Sequence, residues 1–153
     1  MKPNKVRTIA ICVLEHEGKL LVHDGYDEIK QQRFGRPLGG TIEFGEYSAG
    51  TIIRELHEEV RADVTNLRYL ATIENIFTYN GQQGHEIVLV YRADLTDLEL
   101  LARPVIETAE DDGTPMRAVW VPLIDFKTGK LPLYPSGLLE LLDSSGLAGE
   151  KEK

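Results

Sequence analysis

Apolar positions along this chain follow two rhythms. Residues 8–14 are a continuous apolar run, which reads as a strand buried on both faces, and residues 19–23 read as its hairpin partner across Glu15, His16, Glu17 and Gly18. Further on, Ala49, Ile52, Ile53, Leu56 and Val60 recur at the i, i+3, i+4 spacing of a helix whose apolar stripe is expected to pin it to a core. Residues 67–78 and 86–93 are β-rich and flank the turn dipeptide Asn80-Gly81, which is expected within a loop that runs on through Gly84. Residues 119–123 predict another strand. Residues 136–142 predict a closing helix, with Ser136 as its cap and Leu138, Leu139, Leu141 and Leu142 packing inward. Two stretches lack a sustained period and are expected to be loops: 24–36, broken by Gly25 and Gly35, and the acidic stretch 96–115. The pattern therefore predicts an α/β protein with a mixed sheet between helices.

Length and charge narrow this picture. The 153 residues suit one domain over 1–145, with 146–153 expected to be a disordered tail. A net charge of −8 argues against a duplex nucleic acid partner, which needs a basic face to displace counterions. Small anionic substrates remain compatible, because a bound divalent cation inverts the local potential. Cys12 is the single cysteine, so an internal disulfide is excluded and a reducing, cytoplasmic location is expected. Its apolar surroundings mark it as a core filler rather than a nucleophile. The early positive charges and short apolar run resemble a signal peptide, but acids at 15 and 17 follow with no small-residue cleavage site, so a strand is expected. No stretch approaches the roughly 20 apolar residues of a membrane helix.

The chemistry concentrates between Gly40 and Ala62, GTIEFGEYSAGTIIRELHEEVRA. On a helix, Glu55, Glu58 and Glu59 at i, i+3 and i+4 fall within roughly 100° of arc, opposite the apolar stripe and directed outward. Like charges so spaced destabilise a helix by a few tenths of a kcal/mol per pair, so the cluster calls for a compensating cation. Hard ions such as Mg²⁺ take oxygen ligands and keep several waters, which suits a carboxylate cluster that must also accept phosphates.

This segment resembles the Nudix box, Gly-x5-Glu-x7-Arg-Glu-U-x-Glu-Glu-x-Gly-U, where U is a bulky aliphatic residue. Gly40, Glu46, Arg54, Glu55, Glu58 and Glu59 all match; Arg61 replaces the second glycine and Ala62 the last aliphatic. A glycine there would supply a left-handed helix exit, so Arg61 is expected to end the helix differently, by prolonging it. Just upstream, Arg36-Pro37-Leu38-Gly39-Gly40 resembles the family's Leu-Pro-Gly-Gly with two residues exchanged.

The resemblance implies an α/β/α sandwich and a hydrolase of nucleoside diphosphates linked to another moiety, dependent on Mg²⁺ with Mn²⁺ as a substitute. It implies Glu55, Glu58 and Glu59 as metal ligands with the Gly40 carbonyl completing the set, and Arg54 pairing with Glu46 while orienting Glu55. The general base varies in the family, so Glu55 competes with the loop acids Glu110, Asp111 and Asp112, followed by Glu107 and Glu86. Arg33 and Arg36 are candidates to clamp phosphates, and Phe34, Phe77 and Tyr79 to stack on a base. His85 beside Glu86 has no companion at zinc-like spacing and reads as a strand-entry pair. Tyr79 lies 17 residues past Ala62, close to the family's dinucleotide spacing without matching it.

The alternative of another class is a non-catalytic nucleotide-sensing module, suggested by Arg61 and opposed by the intact box acids. An isopentenyl-type isomerase is disfavoured, since no Cys and Glu acid/base pair is evident beyond buried Cys12. Family members are monomers or dimers, and the chain shows no coiled-coil heptads.

Overall fold

The computed structural model describes residues 4–109 and 112–144. The chain runs β1 (Val6–His16), β2 (Lys19–Asp27), β3 (Gln32–Thr41), α1 (Ser48–Val60), β4 (Val64–Tyr79), β5 (Gln82–Leu95), α2 (Leu98–Ala102), β6 (Val105–Ala109), β7 (Pro115–Pro122), α3 (Leu123–Lys127) and α4 (Leu138–Ser144). The strands form one mixed sheet in the order β4-β5-β1-β3-β2-β7-β6, with β1 parallel to β5 and the other neighbours antiparallel. This is the predicted α/β/α arrangement.

β1 explains its own composition. Ile9 through Leu14 are all buried because apolar layers cover both sides of the strand. Ala10, Cys12 and Leu14 pack with Ile52, Leu56 and Val60 of α1; Ile9, Ile11 and Val13 pack with Phe126 of α3 and Leu138 and Leu142 of α4. Cys12 is a core filler, and burial pushes its thiol pKa up to about 12, far from nucleophilic use.

Four expectations give way to pairing that period alone does not reveal. Residues 19–23 do not run beside 8–14: β1 and β2 pair only at Glu15–Leu20 and His16–Lys19, and β3 then enters between them. Residues 24–36 are not a loop: β2 continues to Asp27, turns, and returns as β3, with Gly25 opposite Phe34 and Asp24 opposite Gly35. Both glycines are strand residues that make room for aromatic rings, Phe34 against Gly25 and Phe126 against Gly35. The β4–β5 connection is a two-residue turn, Asn80 and Gly81 both at positive φ, with Tyr79 opposite Gln82; the longer loop through Gly84 does not exist. Residues 96–115 contain α2, capped by the Asp97 side chain, and β6, which pairs with β7. α4 starts at Leu138, two residues after Ser136, with Leu138 and Leu142 buried and Leu139 and Leu141 half-buried. The expected tail, 146–153, lies outside the described residues, among which no helix is long and apolar enough to cross a membrane.

Candidate active site

α1 seats Ile52, Leu56 and Val60 in the core as expected, but the rest of its stripe is rotated. Ile53 is exposed, and Thr51, Glu55 and Glu59 are buried instead. The acids therefore do not share an outward face: Glu55 and Glu59 turn toward the sheet, and Glu58 alone of the three is well exposed. Burying a carboxylate is costly unless it is paired or bound, and two features let Glu55 sit there, one supplying a partner and the other the room.

The first is Arg54. Its Nε donates to Glu46 Oε2 at 2.8 Å and its Nη2 to Glu46 Oε1 at 3.0 Å, a bidentate fork. Nη2 also donates to the Thr41 carbonyl at 3.1 Å, while Nη1 reaches Glu55 Oε2 at 3.1 Å and Glu58 Oε1 at 3.3 Å. One guanidinium thus holds three carboxylates and ties the helix to the end of β3. Glu46 also accepts from the Thr51 hydroxyl and the Glu43 N–H. Hydrogen bonding from Arg54, then from Thr51 and Glu43, holds the Glu46 pKa down to about 2.

The second is backbone. β3 brings Gly40 against the Glu55 carboxylate so closely that any side chain there would run into it. Gly39 abuts the Ala10 carbonyl, with its own φ at 153°. These two glycines let α1 and β3 meet with a carboxylate between them.

At the other end of α1, Arg61 corrects the expected prolongation. It takes the left-handed conformation itself, φ 58° and ψ 37°, and its N–H bonds to the His57 carbonyl at 3.0 Å. The helix exits as it would with glycine, at a cost for an L-residue of about 1–2 kcal/mol.

The remaining candidates divide. Arg36 donates to Glu86 Oε1 at 2.9 Å, and Arg7 binds the other oxygen of Glu86 at 3.3 Å while its Nη2 donates to the Thr41 hydroxyl at 2.9 Å. Glu86 is thereby a buried ion-pair centre joined through Thr41 to Arg54. His85 pairs with Val6 and Ile76 in the sheet, a strand position as expected. Arg33 is engaged elsewhere, on Asp24 at 2.8 Å. Phe34 stacks edgewise with Tyr79 at 5.8 Å and lies 5.2 Å from Tyr134, so these two aromatic candidates are occupied with each other, while the third, Phe77, is half-buried opposite Gly84 of β5. Asp112 is exposed and caps a turn through the Thr114 N–H, with its pKa lowered by hydrogen bonds from Thr114. Glu107 is exposed on β6; Glu110 and Asp111 lie outside the described residues.

Sequence reasoning missed His23. On β2 it lies opposite Arg36 and Ala118, and its Nε2 sits 3.5 Å from Glu59 Oε1. Both atoms are buried and neither has a hydrogen-bond partner, a situation that costs about 1–3 kcal/mol per polar group. The two-residue period from buried Leu21 placed His23 on an inward face; only the packing of α1 supplied its neighbour.

Among the described residues, no three His, Cys, Asp or Glu side chains converge as a ready-made metal cage. What the site offers is two buried carboxylates one helical turn apart, a glycine backbone against one of them and an orphaned oxygen on the other. That donor set fits a hard divalent ion that keeps several waters.

A seven-stranded mixed sheet flanked by helices, with an arginine-locked run of acids on the helix after β3, defines a family of hydrolases. The family model described as NUDIX domain matches residues 4–142, and this chain belongs to that family; it is a Nudix-type hydrolase. Solved structures of the same fold include a NUDIX hydrolase from Nitrosomonas europaea, 14% identical with a TM-score of 0.61, covering 92% of this chain and 88% of that one. A MutT NUDIX hydrolase from Burkholderia pseudomallei is 18% identical with a TM-score of 0.58 over 92% of this chain and 98% of its own. The mMutator MutT protein from Bacillus halodurans is 15% identical with a TM-score of 0.57 over 90% and 80%. At these identities the likeness concerns fold alone. No curated protein matches the chain. Family membership carries with it a divalent metal requirement and a small nucleotide-type substrate.

Proposed function

We propose that this chain is a Mg²⁺-dependent pyrophosphohydrolase, one domain over residues 1–145 and cytoplasmic, that splits the phosphoanhydride of a nucleoside diphosphate linked to another group. The observation that carries the reading is the burial of Glu55 and Glu59 on the sheet side of α1, with Gly40 backbone pressed against the Glu55 carboxylate. Nothing in an ordinary solvated acidic helix would bring carboxylates inward against glycine.

In this reading Glu55, Glu59 and the Gly40 carbonyl hold the ion, with Glu58 joining from the helix edge; Mn²⁺ substitutes. When bound, the ion neutralises phosphate oxygens and lowers the pKa of a coordinated water. Arg54 is a positioning residue: it holds the Glu55 and Glu58 carboxylates in place through its Nη1 while Glu46 fixes its own fork. Arg36, half-held by Glu86, presents its remaining N–H groups to substrate phosphate. Glu55 is the base candidate nearest the reacting centre; Asp112 is engaged in its own turn.

The test is a panel of nucleoside triphosphates, ADP-ribose, sugar nucleotides and dinucleotide polyphosphates, incubated with Mg²⁺ and resolved chromatographically. Hydrolysis of at least one class, lost by more than about 100-fold in Glu59→Gln with the fold retained, is the expected result. Turnover unchanged in Glu59→Gln overturns the assignment, and tight nucleotide binding without any cleavage overturns it in favour of a sensing module.

A further inference from the structure

Beside the glutamates lies a nitrogen that the box does not include. We infer that His23 supplies an imidazole ligand, through Nε2, to the cation held by Glu59, so that the centre is a mixed nitrogen and oxygen site. The inference rests on the metal reading above and deepens it.

Glu59 Oε1 and His23 Nε2 face one another at 3.5 Å, both buried and both without a hydrogen-bond partner. A carboxylate oxygen only accepts. A neutral imidazole has one nitrogen that donates and one that accepts. With the proton on Nδ1, two acceptor atoms lie 3.5 Å apart with no donor on either, an arrangement that a cation held by both would relieve. A direct hydrogen bond from Nε2–H to Glu59 is the rival arrangement, and it makes the opposite prediction about metal coordination.

The position is built rather than incidental. His23 is anchored in the ladder between Arg36 of β3 and Ala118 of β7, and Ala118 packs in the same core layer as Ile52 and Leu56 of α1. Strand and helix therefore fix the spacing of nitrogen and carboxylate. An imidazole raises affinity for Mn²⁺, Co²⁺ and Zn²⁺ relative to Mg²⁺, so His23 sets which ion this centre prefers.

Pulsed EPR on the Mn²⁺-loaded protein tests this without any substrate. Wild type is expected to show the nitrogen modulation of a coordinated imidazole, changed in form by ¹⁵N-histidine labelling and abolished in His23→Gln. Mn²⁺ affinity should fall about tenfold in that variant, with Mg²⁺ affinity moving less. A protein with His16, His57 and His85 replaced by Gln keeps His23 as the single histidine and secures the assignment if His23→Gln does not fold. Mn²⁺ binding that depends on Glu59 but shows no nitrogen modulation, or modulation that survives His23→Gln, overturns the inference and leaves the carboxylate site standing. Mn²⁺ binding indifferent to Glu59→Gln overturns both.

Discussion

Arg54 grips Glu46 with two parallel hydrogen bonds, Nε to Oε2 at 2.8 Å and Nη2 to Oε1 at 3.0 Å, and spends its third nitrogen on Glu55 and Glu58. The fork can be made only by a planar guanidinium, since an ammonium is a point charge with no such geometry. Arg54→Lys should therefore lower turnover by about 10–100-fold and Tm by a few degrees, while substrate KM changes little. Steady-state kinetics with a thermal melt checks both; wild-type turnover in Arg54→Lys would mean that charge alone suffices.

Acid should loosen the same knot. The Glu46 pKa in the folded protein, about 2, lies below its ordinary value of 4.5, so its contribution is fully present above about pH 4.5 and drains away as pH falls toward about 2. Glu46→Gln should flatten the stability profile across that window, as followed by urea unfolding at stepped pH. A profile parallel to wild type there would place the acid sensitivity in other groups.

Gly39 and Gly40 should respond differently to one added methyl. At Gly40 it meets the end of the Glu55 side chain, which can move aside. Gly40→Ala should keep Tm within a few degrees while metal affinity and turnover fall at least about tenfold. At Gly39 it meets the Ala10 carbonyl and lies 2.7 Å from Ile11 Cα, neither of which can yield. Gly39→Ala should melt far lower or fail to fold.

Arg61→Gly should stabilise. Relieving a left-handed L-residue, less the extra chain entropy of glycine, leaves about 0.5–1 kcal/mol, or roughly 1–4 °C in Tm at this length. Activity should be unchanged, because Arg61 lies past the last ligand candidate. Differential scanning calorimetry decides it, and a lower Tm would show that the Arg61 side chain does more than end the helix.

What the sequence determined by itself was what period and motif carry. Spacing gave the strands at 8–14 and 19–23, the helix from its apolar rhythm, and the match of Gly40, Glu46, Arg54, Glu55, Glu58 and Glu59, because a period and a motif both live within a short stretch of chain. Tertiary structure decided the rest. It rotated α1 so that Glu55 and Glu59 turned inward and Ile53 outward, since the helix settles where Leu56 and Val60 fill the sheet and not where its own pattern is most symmetric. It paired residues 24–27 with 32–35, glycine against aromatic, a fit that no period announces. It also set His23 beside Glu59 and Arg36 beside Glu86, partners 36 and 50 positions apart. Contacts at such separation are fixed by how strands register and how a helix docks, and a single chain read in order carries no local mark of either.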